Sequence, residues 1–185
     1  MRIPCALLAV VLAVVGVVSH ASAQDQFGGV TVEPRPEEYI HWDAEAVAEV
    51  QARLEQGIAD GSRIWGTRFI FERVLPAAEH RPHNISIVHR EGYTQPEIHE
   101  LKWDLYVILD GSGTLLVGGE RTNWIRDGRP PEEQRPGLSG ARAFEVTQGD
   151  VVHVPARVWH QVVLEPNRAM TYMLINVMEE GEEAP

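Results

Sequence analysis

From residue 63 onward, β-branched and aromatic residues alternate with polar ones in short runs. A period of two predicts strands with one face buried. The runs are 63–75, 84–90, 98–103, 105–109, 114–117, 143–146, 151–154, 159–164 and 170–177. Gly111-Ser112-Gly113, Gly118-Gly119 and Gln148-Gly149-Asp150 between them are hairpin-grade turn sequences. Short strands at close spacing, with no helices between them, predict an all-β antiparallel sandwich or barrel. Ahead of them the period changes to that of a helix over 43–59, with Val47, Val50, Leu54 and Ile58 on one stripe, Asp43 to cap its start and Gly61 to end it. One amphipathic helix beside a β body is expected to brace it from outside.

Two segments depart from this alternation. Residues 126–140 are rich in proline, glycine and charge, and read as a long loop, either a solvated connection or a lid over a barrel mouth. Residues 1–23 read as a secretory leader: Arg2, an apolar run over 6–18, then Ala21-Ser22-Ala23 as a small-residue cleavage pattern. The apolar run is short for a transmembrane helix. The mature chain is therefore expected to begin near Gln24 and to be periplasmic or secreted, with no stable membrane span after cleavage. The predicted organisation is leader 1–23, arm and helix 24–62, barrel 63–178 and acidic tail 179–185.

Charge and cysteine usage narrow the function. A formal net charge of −11 over 185 residues excludes a phosphate-tracking nucleic-acid binder and an anchor on anionic lipid. Cys5 is the only cysteine and leaves with the leader. The mature protein is then left without a disulfide framework, a thiolate nucleophile or a cysteine-type zinc site.

The remaining chemistry collects in two places. Glu97 and His99 stand two apart, so on a strand they share a face, and Asp104 follows just ahead of an apolar run. The second place runs from Gly149-Asp150 through Pro155 to His160. If the sheet curls, Asp104 and His160 join the first pair. His153 is out of phase with Val152 and Val154, while His80, His83 and His89 have no ligand spacing. Trp103, Tyr106, Trp159 and Tyr172 suit either a cavity wall or a core.

These segments resemble the paired motifs of the cupin superfamily. The first is matched by Gly92, Glu97-x-His99, Asp104 and Gly111, and the second by Gly149, Pro155, Arg157 and His160 with its spacing kept. Glu97 replaces a usual histidine, Asp104 a usual glutamate and Arg157 a usual glycine. The resemblance covers roughly residues 84 to 178. It implies a cupin-like jelly-roll barrel, pairing through barrel faces as a homodimer, and a divalent metal held by His99, Asp104 and His160.

Imidazole suits many transition ions, and two histidines with one carboxylate leave open coordination positions. Glu97 as a fourth ligand makes the site harder and favours Mn or Fe(II), with Ni or Zn next. As a non-ligand it is a candidate catalytic base; turned to solvent, it leaves the site weak or lost. Three functions fit: a metal-dependent enzyme of oxygenase, isomerase or lyase type acting on a small oxygenated molecule, a non-catalytic small-molecule binder, or a structural and partner-docking barrel.

Overall fold

The structure, a computed structural model, describes residues 40–62, 64, 67–77, 82–125 and 127–179. The leader expected over 1–23, most of the arm, His80 and all but the first residue of the acidic tail lie outside the described residues. No helix among the described residues is long and apolar enough to cross a membrane.

Helix α1 spans Ala44–Ala59. The Asp43 side chain accepts a hydrogen bond from Ala46 N at 2.9 Å and so satisfies one of the free amides of the first turn. The helix ends at Asp60, and Gly61 follows in the left-handed region at φ 91°. Its buried stripe, Val50, Leu54 and Ile58, packs on Ile70 and Ile87 of the outer sheet face. That is the external brace the spacing predicts.

The strands are β1 Phe69–Leu75, β2 His83–Glu91, β3 Lys102–Val117, β4 Glu120–Thr122, β5 Gly137–Ser139, β6 Arg142–Thr147, β7 Val151–Val154, β8 His160–Val163 and β9 Ala169–Met178, all paired antiparallel. The main sheet runs β1-β2-β9-β3. Strand β3 is the common member of two sheets. Its first part pairs with β9 on one side and β7 on the other, its last part with β8 and β6. The result is an antiparallel jelly-roll barrel. Its core holds Phe69, Val88, Tyr106, Ile108, Leu115, Val162, Met170 and Tyr172.

This overturns part of the element reading. The separate strands expected over 105–109 and 114–117 are one continuous β3, and 98–101 are not strand at all. Gly111-Ser112-Gly113 is therefore no hairpin. It is the corner where β3 passes from one sheet to the other, beside a register shift between Ile108 and Asp110. Gly111 has φ 79°, and a Cβ there would lie 2.3 Å from the Ala169 carbonyl oxygen, so the corner admits only glycine. Gln148-Gly149-Asp150 is not a hairpin either, since β6 and β7 lie end to end along β3 and break at that same corner. Gly118-Gly119 leads into β4, which pairs with β5. The 126–140 segment, expected as plain loop, carries β5 and a short helix α2, Pro131–Gln134.

Candidate metal centre

Backbone hydrogen bonds staple the two motifs together. Glu97 and His160 form an isolated antiparallel bridge, with Glu97 N donating to His160 O at 2.8 Å and His160 N to Glu97 O at 2.9 Å. Arg157 N donates to His99 O at 2.7 Å. Arg157 has φ 62°, which explains why glycine suits this position and what an arginine gives up by occupying it. Its guanidinium reaches Glu179 at 2.9 Å. The expected strand shared by Glu97 and His99, with Asp104 across a turn, is not what forms. Glu97 and His99 lie on an irregular segment, and Asp104 projects inward from β3 in phase with Tyr106 and Ile108.

All four expected residues meet. Asp104 Oδ2 lies 3.2 Å from His99 Nε2 and 3.1 Å from His160 Nε2, and Glu97 Oε2 lies 3.7 Å from His99 Nε2. The ring centroids of His99 and His160 are 5.3 Å apart. Glu97, His99 and His160 offer ligand atoms all within 4.8 Å of one another, and Asp104 touches two of those three. None of His99 Nε2, His160 Nε2 and Asp104 Oδ2 is aligned for a hydrogen bond with another group, although all are buried. Buried polar atoms normally find partners.

Spacing offers an explanation. Ligands about 2.1 Å from one ion stand about 3.0 Å apart at right angles and about 3.4 Å apart in a tetrahedron. The contacts of 3.1 and 3.2 Å match those separations and 3.7 Å lies a little beyond, so Asp104 stands at ligand spacing from both imidazoles, while Glu97 joins the imidazoles in a wider group, within 4.8 Å, that does not include Asp104. Tautomer agrees: His160 Nδ1 lies 3.0 Å from the Val158 carbonyl oxygen, which only accepts, so Nδ1 carries the proton and leaves the Nε2 lone pair to the centre.

Electrostatics keep Asp104 ionised and able to ligate, but favour the protonated form of His160, which must lose its proton to ligate. Burial pushes the Asp104 pKa up, but the two imidazoles and the Lys102 charge outweigh it and hold the carboxyl well below its usual range. Burial opposes charge on His160, yet Asp104 and Glu97 outweigh it and raise its pKa.

Two contributors escaped sequence reasoning. Arg90, buried on β2, lies over the Phe69 ring, donates to the Tyr172 hydroxyl, and places Nη2 3.2 Å from Glu97 Oε1. Glu97 is thereby turned inward, and the solvent-facing alternative does not occur. Asn176 on β9 donates to Asp104 Oδ1 at 2.6 Å, which leaves Oδ2 for the imidazoles. The available signal was weak: each is a polar residue at an inward position of an apolar strand. Tyr106 and Tyr172 are core beneath the centre, whereas Trp103 is exposed, edge-on to His153. His153, out of phase with Val152 and Val154, is exposed, and His89 is buried against Thr171.

A cavity of about 180 Å³ adjoins the centre, with Glu97, His99, Arg90 and Asn176 on its inner wall. Larger clefts lie elsewhere, one of about 510 Å³ beside Arg68, Glu91 and Arg168, away from the convergent ligand atoms.

No family model matches the chain, and no curated protein does. Solved structures with a similar course include the plu4264 protein from Photorhabdus luminescens, at 14% identity over 78% of this chain and 91% of that one, TM-score 0.45. Another is the polyketide cyclase RemF from Streptomyces resistomycificus, at 17% identity over 65% and 73% of the two chains, TM-score 0.45. A third is a cupin 2 conserved barrel domain protein from Rhodopseudomonas palustris, at 16% identity over 66% and 70%, TM-score 0.44. At these identities and scores, no residue role passes from those proteins to this one.

Proposed function

We propose that this protein is an exported, metal-binding cupin that acts on a small oxygenated molecule. His99, Asp104 and His160, with Glu97 as fourth contributor, would hold one divalent transition ion, Mn or Fe(II) ahead of Ni or Zn. The observation that carries this reading is the convergence of buried His99 Nε2 and His160 Nε2 on Asp104 Oδ2, at 3.2 and 3.1 Å without an aligned hydrogen bond, beside a cavity. Calcium, which prefers six to eight oxygen ligands, suits a set with two imidazoles poorly.

When bound, such an ion supplies Lewis acidity and open coordination positions. The protein's own groups do the rest. Arg90 fixes one Glu97 oxygen, so the other faces His99 and the cavity, where it can ligate or take a proton from a bound molecule. The barrel wall around Tyr106 and Tyr172 is closed to water on the core side.

Elemental analysis of protein purified without added metal tests the reading. It should find about one equivalent of a first-row metal, lost in His99→Ala and in His160→Ala. Protein that holds none after Mn, Fe, Ni and Zn are offered anaerobically would refute it. Glu97→Gln separates the roles of that residue: weakened retention marks a ligand, and intact retention with turnover lost marks a base.

A further inference from the structure

The cavity beside the centre has a charge pattern that the metal ligands do not explain. Its wall carries Arg73, Arg90 and Lys102 against a single carboxylate, Glu97, in a chain whose formal net charge is −11. Arg90 is committed to Glu97 and Tyr172. Arg73 and Lys102 make no close ion pair among the described residues, although the Lys102 charge acts on Asp104 at longer range.

Both stand on inward positions. Arg73 shares the phase of Phe69 on β1, and Lys102 that of Asp104 on β3. Exposure rises from buried Arg90 and Asn176 to half-buried Lys102 and exposed Arg73, which sets those last two cations toward the mouth. The wall also carries apolar Phe69, Val88 and Leu174, beside Ser86. A cation-rich recess in an acidic protein concentrates anions there and nowhere random. Guanidinium and ammonium groups hold carboxylates by charge-assisted hydrogen bonds, while the apolar side chains suit a short hydrocarbon body. The volume, about 180 Å³, equals about six waters at their liquid share of about 30 Å³, so the guest has few heavy atoms.

We infer that the cavity takes a small organic carboxylate, its charged end held by Arg73 and Lys102 at the mouth and its other end directed to Glu97 and the metal centre. The inference rests on the functional reading above, because it names what approaches that centre. The two fail separately. Metal content reports on the centre, and carboxylate binding, measured on metal-loaded and metal-free protein alike, reports on the cations.

Malonate serves as the probe, neutral malonamide as its uncharged counterpart and inorganic phosphate as an anion without a hydrocarbon body, all by titration calorimetry. Wild-type protein should bind malonate, bind phosphate more weakly and ignore malonamide. Arg73→Gln/Lys102→Gln should weaken malonate at least ten-fold in metal-free protein while leaving melting temperature near wild type, since both side chains are partly exposed and neither makes an ion pair among the described residues. Malonate binding that is absent in wild type, or equal in the double variant, would overturn the proposal. So would malonamide binding as well as malonate, or phosphate binding more tightly.

Discussion

Asn176 reaches the candidate centre only through Asp104. Asn176 occupies Asp104 Oδ1 and leaves Oδ2 between two imidazoles, so it orients a ligand rather than serving as one. Loss of such an outer partner typically costs 10–100-fold in metal affinity. Asn176→Leu should therefore weaken Mn or Zn retention by about that factor in chelator competition; unchanged retention would show that packing alone orients Asp104. Arg157 poses the reverse question. Glycine there relieves the left-handed backbone but frees the unfolded chain and removes an exposed ion pair, effects with opposing signs. Arg157→Gly should shift unfolding free energy by less than about 1 kcal/mol in urea melts, and a loss of several would mean the arginine holds the motif loop. At this scale Glu97, His99, Asp104 and His160 were legible because their spacing survives as proximity. Arg90 and Asn176 were not, since what makes them part of the centre is register. Asn176 lies 72 residues from Asp104 in sequence and directly opposite it across the β3–β9 ladder.

Elements were legible where pattern and geometry coincide, as in α1, whose cap and stripe formed as its spacing predicts. They were misread at Gly111, because glycine signals both a turn and a bend within a strand, and only partners on both edges tell the two apart. The misreading has a measurable counterpart. Gly118 also has positive φ, at 82°, but a Cβ there meets nothing within 4 Å, whereas at Gly111 it meets the Ala169 oxygen at 2.3 Å. Gly118→Ala should cost about 1 kcal/mol, the backbone penalty alone. Gly111→Ala adds a clash with a paired backbone and should cost clearly more, above about 2 kcal/mol. Equal costs in denaturant unfolding would mean the corner of β3 yields.

For the molecule as a whole, pH and metal oppose each other. The His160 pKa is raised in the folded, metal-free state. Its charged form thus adds stability that is complete below the unfolded value of about 6.5 and fades as pH rises through the higher folded value. Metal needs the neutral ring. As pH rises from about 6.5 through the raised folded value, the metal-free protein should lose this increment while the metal-loaded protein gains, so the gap in melting temperature should widen with pH. His160→Gln should abolish the widening. Export, with a mature start near Gln24, and a homodimer remain proposals at this scale, open to mass spectrometry of the exported protein and to sedimentation.

The shared strand β3 also sets the order in which the barrel can be made. All four of its partners, β6 to β9, come later in the chain, and β2 waits for β9, with His83 opposite Val177. Loop-closure entropy must be met before such long-range pairings return anything. Until its last strand emerges, a growing chain has α1 with the β1–β2 hairpin and β3 with β6, β7 and β8, but no strand that joins the two groups, and the core still lacks Met170 and Tyr172. A chain ended after residue 168 should show the narrow amide dispersion of an unfolded polypeptide. If the chain is exported as proposed, folding that waits for β9 would keep it slack enough to be threaded through a membrane pore, and would postpone assembly of the candidate centre until the polypeptide has reached the far side.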